Sequence, residues 1–453
     1  MNGISFGTDG WRSRMTEDFT SENVCTVTQA VADYVKTGTI IVGYDCRENS
    51  HTFARNCCGV LTENGINVLL CDRPTPTPVM TYAVAHYRLQ GAIMITASHN
   101  PPEYNGIKFI PSYAGPATDD ITQAIEENLS HLTNSFHPTI PHEQYDTIDP
   151  YPVYETHVQN HIDTEMIADI TPKILFNPMH GAAYGYSRLF ESLGCRVQSI
   201  NDTCTPHFGG KNPDPTEENL QDQIPQVSSS LVGIALDGDA DRIGVLDPSG
   251  TFISPNALFA LLLYYLRGRE GDVCRTVSTT HWVDSIALEQ GKKVYEVPVG
   301  FKYVGEIMRT HSILIGGEES GGFSFKGHIP EKDGLLTALY VIEACCSGRT
   351  SPLHLLDEVR EKFGSRWNAK ISVPVDSQRM KLMRIPDFLG NEIIKTDSKD
   401  GLKIYLDRGW ILFRPSGTEP VFRVYVESDS PENAQSLLSL GKDLLYRSMY
   451  EKS

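Results

Sequence analysis

Residues 94–108 read Met-Ile-Thr-Ala-Ser-His-Asn-Pro-Pro-Glu-Tyr-Asn-Gly-Ile-Lys. The apolar run from Gly91 to Ile95 stops abruptly, and Ser98 and His99 sit where it stops. Pro101 and Pro102 then forbid regular structure. A short apolar run bounded by turn residues reads as a buried strand. Ligands of open α/β sheets gather at the carboxyl ends of strands. The stretch therefore holds a hydroxyl and an imidazole where such folds keep their chemistry.

Outward from this point, strand-like and helix-like runs alternate. Residues 39–45 and 67–71 read as strands, and 50–63, capped by Ser50, and 78–87 as helices. Such alternation argues for βαβ units and a mainly parallel sheet. A Pro- and His-rich segment over 138–152 leads into a second unit, with strands expected at 173–178, 195–200 and 231–236. Pro255 marks the next boundary, followed by a strand at 313–315 and an apolar helix over 334–346. Farther on, 421–427 alternates as a strand and 430–450 reads as one amphipathic helix. The expected fold class is α/β: three related domains with mixed, mainly parallel sheets (1–150, 151–254 and 255–366) plus a smaller C-terminal α+β domain (367–453).

The 453 residues exceed one ordinary domain, and 40% hydrophobic with 21% charged residues allows several packed cores. A formal net charge of −18 repels nucleic-acid backbones and anionic membranes, so neither is an expected partner. It also opposes a phosphorylated substrate, which only local Arg and Lys can overcome. None of the ten cysteines forms a Cys-x-x-Cys pair, and buried thiols in a reducing compartment are expected. No signal-like start and no run of 18 apolar residues is visible, so the expected location is cytoplasmic.

A second informative stretch is Asp237-Gly-Asp-Ala-Asp-Arg242, directly after an apolar run. Three carboxylates at alternate positions, separated by Gly and Ala, repel one another without a cation. A hard divalent ion with oxygen ligands relieves this. A calcium EF-hand loop starts similarly but needs Gly at its sixth and Glu at its twelfth position; here Arg242 and Pro248 stand there. The carboxylates Asp237, Asp239 and Asp241 leave a coordination position open, and Mg²⁺ suits phosphoryl transfer.

Gly317-Glu-Glu-Ser-Gly-Gly322 offers Glu318 and Ser320 on a Gly-rich turn, able to bond adjacent sugar hydroxyls. Arg414-Pro-Ser-Gly-Thr418 precedes an alternating strand that carries Arg423. Its Gly417 lets consecutive N–H groups form an anion nest, Ser416 and Thr418 add hydroxyls, and Arg414 and Arg423 add bidentate contacts for a phosphate. A Walker ending and a dinucleotide fingerprint are both absent from the sequence.

Taken in order with Phe6-Gly-Thr-Asp-Gly-Trp-Arg12, these four stretches resemble the α-D-phosphohexomutase superfamily, from Phe6 to Arg423. Alone, Ser98 would read as a turn residue. The resemblance implies instead that it carries a phosphoryl group, with its phosphate on the metal beside the three aspartates and facing Arg242. It implies four domains around one cleft, Arg12 among the catalytic residues, and a hexose 1,6-bisphosphate intermediate. His99 and Lys108 are the proton-transfer candidates at this loop. Lys108 is favoured, because the turn signal Asn105-Gly106 would return it to Ser98, where neighbouring cations lower a lysine's pKa.

Many bacterial members of the family carry His where this chain has Gly322. The pattern His328-Ile-Pro-Glu-Lys332-Asp-Gly resembles the phosphoglucomutase branch, which makes His328 and Lys332 the second proton-transfer candidates. Val299-Gly-Phe-Lys302 resembles a companion loop that turns Lys302 toward substrate. The implied activity is interconversion of hexose 1- and 6-phosphates, glucose phosphates first, by a monomer or homodimer acting on small sugar phosphates. Phosphomannomutase and phosphoglucosamine mutase activities use the same machinery. A non-catalytic phosphosugar sensor and a simple Mg²⁺-dependent phosphatase are the rivals of other classes.

Overall fold

The computed structural model describes residues 4–7, 9–132, 145–374, 392–416 and 421–450. Its strands form four sheets. The first runs in the order Trp11–Arg14, Tyr104–Pro111, Gly91–Ile95, Thr39–Tyr44, Asn67–Cys71, Asp146–Ile148. Its middle strands are parallel, and Tyr104–Pro111 returns antiparallel beside Gly91–Ile95. The second sheet sets Lys173–Asn177 parallel to Val232–Leu236, followed by antiparallel Ile243–Leu246. In the third, Asp272–Thr276 and Ile313–Gly317 are parallel and Phe323–Phe325 is antiparallel. The fourth is antiparallel throughout, with the helix Pro431–Tyr450 packed on it. Three mixed α/β units and a distinct C-terminal unit are thus present.

This topology positions the motif loops. The serine stretch joins Gly91–Ile95 to Tyr104–Pro111. The aspartate stretch joins Val232–Leu236 to Ile243–Leu246, and the glutamate stretch joins Ile313–Gly317 to Phe323–Phe325. In each of the three units the motif occupies the turn from a parallel strand into its antiparallel neighbour. Each lies at the carboxyl end of a strand, where ligands bind.

Local chemistry explains the flanking elements. Ser254 caps Pro255–Tyr265 by accepting from the Ala257 amide, and Asp333 caps Gly334–Gly348 by accepting from the Leu336 amide. The second of these helices is buried almost throughout, because it sits inside one apolar core shared by the second and third units. That shared core binds the two units by burial of apolar surface rather than by a few polar contacts.

Three local expectations need correction. Asn105 and Gly106 are not a turn: they lie within Tyr104–Pro111, and the reversal falls earlier, around the two prolines. A Cβ at Gly106 would come 2.4 Å from the Thr96 carbonyl oxygen, so a close approach explains the glycine. Ser50 is not the helix cap; Asn49 holds that position in a left-handed conformation, and the Ser50 hydroxyl donates to Asp45. Cys46 and Cys204 are joined by a disulfide, since their Cα atoms lie 5.4 Å apart, and the other eight cysteines are buried thiols. Among the described residues, no helix is long and apolar enough to cross a membrane.

Candidate active site

Ser98 adopts a left-handed backbone, with φ of 51°. Its amide donates to Thr96 Oγ1 (2.8 Å), and its hydroxyl donates to Asp237 Oδ2 at 2.6 Å. Such a conformation costs about 1–3 kcal/mol for a non-glycine residue, so the surroundings must hold it. Arg47 does much of this. Its guanidinium donates to the carbonyls of Ser98 (2.6 Å), Asn100 (2.7 Å), Pro101 (2.7 Å) and Tyr104 (2.9 Å). Arg47 is in turn fixed by the buried Asp45 at 3.0 Å. Arg12 adds contacts to the Ala97 carbonyl (3.2 Å) and Asn100 Oδ1 (2.9 Å).

The serine and aspartate loops nearly touch. A Cβ on Gly238 would lie 2.5 Å from the Ser98 carbonyl oxygen, so glycine is required there. Asp237, Asp239 and Asp241 are fully buried, with one oxygen of each within 4.8 Å of the others. Asp239 Oδ1 and Asp241 Oδ1 have no hydrogen-bond partner among the described residues. Buried, partnerless carboxylate oxygens are costly, and hard oxygen donors in this number suit Mg²⁺. The residues present therefore fit that ion.

Cations arrive from three directions. Lys108 Nζ lies 2.9 Å from both Asp9 Oδ2 and Asp239 Oδ2 and 3.1 Å from Asp241 Oδ2. Lys332 Nζ lies 3.3 Å from Asp241, 3.1 Å from Glu331 and 3.6 Å from Asp9. Arg242 Nε lies 3.9 Å from Asp241. The local field around Ser98 is thus strongly structured despite the chain's overall negative charge.

These neighbours decide the protonation behaviour. Burial pushes Asp237 well up, and the charges of Asp239 and Asp241 push it further. Burial also works to raise Asp239, but Lys108 and the hydroxyl of Thr77 outweigh it and hold the carboxyl at about 2. Burial alone would lower Lys108; Asp239, Asp241 and Asp9 reverse this and raise it. The expected lysine of depressed pKa is therefore not found, because its neighbours are anions. The buried His99 ring is pushed well down, by desolvation first and then by Arg242 and Arg12. Its Nδ1 lies 3.4 Å from the Ser98 hydroxyl. Burial raises Glu331 to about 7 and also raises Glu318.

Glu318 accepts from the Gly300 amide (2.9 Å), and the Ser320 hydroxyl lies 3.4 Å from Glu318 Oε2. The Gly321 carbonyl accepts from the Ile243 amide (3.1 Å), tying this loop to the end of the aspartate loop. Lys370 of the C-terminal unit reaches Glu319 at 3.0 Å, which brings that unit against the same loop. There, Arg414 and Arg423 are cross-strand partners, and Asp400 holds Arg414 Nε at 2.7 Å. The Ser416 amide donates to the Val421 carbonyl (2.9 Å). Gly417 and Thr418 lie outside the described residues.

Two expected residues go elsewhere. The His328 ring does not join Lys332; it lies 2.9 Å from Asp333 and 3.0 Å from His157 Nε2, with its side chain fully buried. The two side chains therefore face different surroundings: His328 meets Asp333, which caps the next helix, and Lys332 meets Asp241. Lys302, expected to face substrate, bonds Asp119 of the first unit. Sequence reasoning also missed Asp9, Asp45, Arg47, Thr77 and Glu331. Asp9 was within reach, being central to the quoted N-terminal motif, and Arg47 follows a strand end just as Ser98 does.

The geometry has clear relatives. Four domain families match in order: phosphoglucomutase/phosphomannomutase alpha/beta/alpha domain I over residues 3–135, domain II over 152–250, domain III over 254–363, and the C-terminal domain over 371–439. A phosphoglucomutase/phosphomannomutase of Thermococcus kodakarensis is 32% identical, over 98% of this chain and 98% of its own. A probable phosphoglucosamine mutase of Methanopyrus kandleri is 30% identical, over 99% of both chains. The crystal structure of a putative phosphomannomutase from Thermus thermophilus superposes with a TM-score of 0.88 at 30% identity, covering 98% of this chain and 99% of that one. The chain belongs to the phosphoglucomutase/phosphomannomutase family of the α-D-phosphohexomutase superfamily, and it is an enzyme of the mutase class.

Proposed function

We propose that the enzyme interconverts hexose 1-phosphate and hexose 6-phosphate, with glucose phosphates preferred, through a phosphorylated Ser98. The observation that carries this reading is the 2.6 Å contact of the Ser98 hydroxyl with Asp237, inside a cluster of buried carboxylates ringed by Arg12, Arg47, Lys108, Arg242 and Lys332.

Phospho-Ser98 transfers its phosphoryl group to the free 1- or 6-hydroxyl. The P–Oγ bond breaks and a P–O bond to the sugar forms. The hydroxyl's proton leaves to a basic side chain; the two beside the seryl oxygen are the Asp237 carboxylate at 2.6 Å and His99 Nδ1 at 3.4 Å. The resulting hexose 1,6-bisphosphate turns over in the cleft, and its other phosphate returns to Ser98. Asp237, Asp239 and Asp241, with a phosphate oxygen on Ser98, would hold Mg²⁺. When bound, the ion supplies charge neutralisation at the transferring group. Arg12 and Arg47 keep the serine loop rigid. Glu318 and Ser320 clamp sugar hydroxyls, while Arg414, Ser416 and Arg423 grip the phosphate that is not reacting.

Preference for glucose phosphates over glucosamine phosphate rests on Gly322 together with Lys332, although several relatives carry the phosphoglucosamine mutase name. Coupled assays with glucose, mannose and glucosamine 1-phosphates, primed with glucose 1,6-bisphosphate, test it. Fastest turnover of the glucose ester is expected, and exclusive turnover of the amino sugar would reject that preference. Intact mass should show one phosphate on the wild type and none on Ser98→Ala, whose rate should fall on the order of 10⁴-fold or more. Unchanged turnover by Ser98→Ala would overturn the mechanism.

A further inference from the structure

Among the described residues, a second group of ligand-bearing side chains comes together away from the carboxylates. His157 stands on the helix Tyr151–Gln159, and His161 follows it in the next turn. His328 comes from the turn after Phe323–Phe325, in the third unit. One ring nitrogen of each lies within 4.8 Å of the other two, and His157 Nε2 is 3.0 Å from His328 Nδ1. The rings of His157 and His328 are stacked, with centroids 5.1 Å apart, and His161 stands edge-on to both.

The surroundings are those of metal-binding imidazoles. A ligating histidine typically turns its second nitrogen to a carboxylate or another polar group, which fixes the ring. His328 Nε2 lies 2.9 Å from Asp333 Oδ2, at ion-pair distance without hydrogen-bond geometry, with both side chains fully buried. Asp333 is itself anchored by the Tyr154 hydroxyl, at 2.9 and 2.8 Å from its two oxygens. His161 Nδ1 lies 3.4 Å from the Tyr340 hydroxyl, which leaves Nε2 for a ligand. Tyr82 stacks on His157 at 4.1 Å between centroids and restrains that ring. Zinc–nitrogen bonds of about 2.0–2.1 Å in a tetrahedron put donor nitrogens roughly 3.3 Å apart. The His157–His328 pair is already near that spacing.

We propose that His157, His161 and His328 form a second metal site, for a borderline divalent transition ion of the zinc type. Mg²⁺ prefers oxygen donors and is disfavoured here. Binding uses His157 Nε2 and His328 Nδ1, so the hydrogen now shared between them moves to His157 Nδ1. The ion ties the first helix of the second unit to the segment 328–333. That segment carries Lys332 on the catalytic side, so the ion braces the lysine from behind.

The test uses full-length enzyme stripped of transition metals, with Mg²⁺ kept present. Co²⁺ is titrated as a visible-absorption probe and then displaced with Zn²⁺, and thermal midpoints are recorded with and without Zn²⁺. One equivalent of low-symmetry Co²⁺ is expected, displaced by Zn²⁺, with a higher midpoint in Zn²⁺. His161→Asn and His157→Gln should each weaken binding at least about 100-fold, the upper end of the loss seen when only an outer partner is removed. Asp239→Asn should keep the bound equivalent. His161 is only partly buried, so its variant should fold, as its metal-free midpoint will report. No bound equivalent in the wild type, unchanged binding in His161→Asn, or loss of the equivalent in Asp239→Asn would each overturn the site.

Discussion

Gly322 and Lys332 occupy one space: a Cβ at position 322 would stand 2.4 Å from Lys332 Cδ and 2.7 Å from its Cγ. The lysine stem runs over the bare glycine, and its ammonium lies 3.3 Å from Asp241 and 3.6 Å from Asp9. A side chain at 322 would therefore displace the lysine stem. What reads in sequence as two separate departures from one branch of the family is a single steric relationship.

Gly322→Ala should displace Lys332 and lower kcat about 10–100-fold, the usual effect of moving a catalytic group by about 1 Å. Lys332→Ala should be costly by itself, and adding Gly322→Ala to it should have little further effect. Steady-state rates of the four proteins form the cycle. Independent, multiplying losses would mean that the two positions do not share the space.

Arg47→Ala leaves Asp45 buried without its cation and releases four loop carbonyls. Burial already pushes the Asp45 carboxyl up and the Arg47 guanidinium down, so each depends on the other. Breaking such a pair costs about 3–5 kcal/mol. Urea unfolding should report that loss, together with slower phosphorylation of Ser98. A stability change below about 1 kcal/mol would mean that the loop holds itself.

Asp239 provides a pH test. Its folded value of about 2 lies below the ordinary 3.8. As pH falls, the unfolded chain binds this proton first. The stabilisation is therefore full above about pH 5 and is lost as pH drops toward 2. The thermal midpoint of Asp239→Asn should fall less steeply between pH 5 and 2.5 than that of the wild type. Parallel curves would argue against the Lys108–Asp239 pairing.

Arg414→Ala should raise KM for the sugar phosphate about 10–100-fold with a smaller change in kcat, the loss of a charged hydrogen bond worth about 1.5–3 kcal/mol. Asp400 accepts from both Arg414 Nε and the Val299 amide. Asp400→Ala should therefore raise KM in the same direction, by less. An unchanged KM in both variants would put the phosphate grip elsewhere.

Much of the site was legible because its chemistry is local. The carboxylates alternate within one loop, and Ser98 sits at the end of an apolar run. The strands at 67–71 and 91–95 match the observed Asn67–Cys71 and Gly91–Ile95 to the residue. The errors arose where a local signal met a tertiary demand. Asn105-Gly106 reads as a turn, yet the pair lies in a strand because the loop before it already reverses the chain. His328 and Lys332 share one motif but take different partners, His328 meeting Asp333 and His157 and Lys332 meeting Asp241 and Glu331.

The sequence alone therefore determined which groups stand at each strand end, since a strand, its turn and the next strand are set by neighbouring residues. Tertiary structure decided how those groups behave. Asp9, Lys108, Asp239 and Lys332 come from distant parts of the chain and meet only when three units pack together. A buried charge takes its pKa from what surrounds it, so the same lysine that sequence reads as a base is, in the folded protein, the counter-ion of three carboxylates.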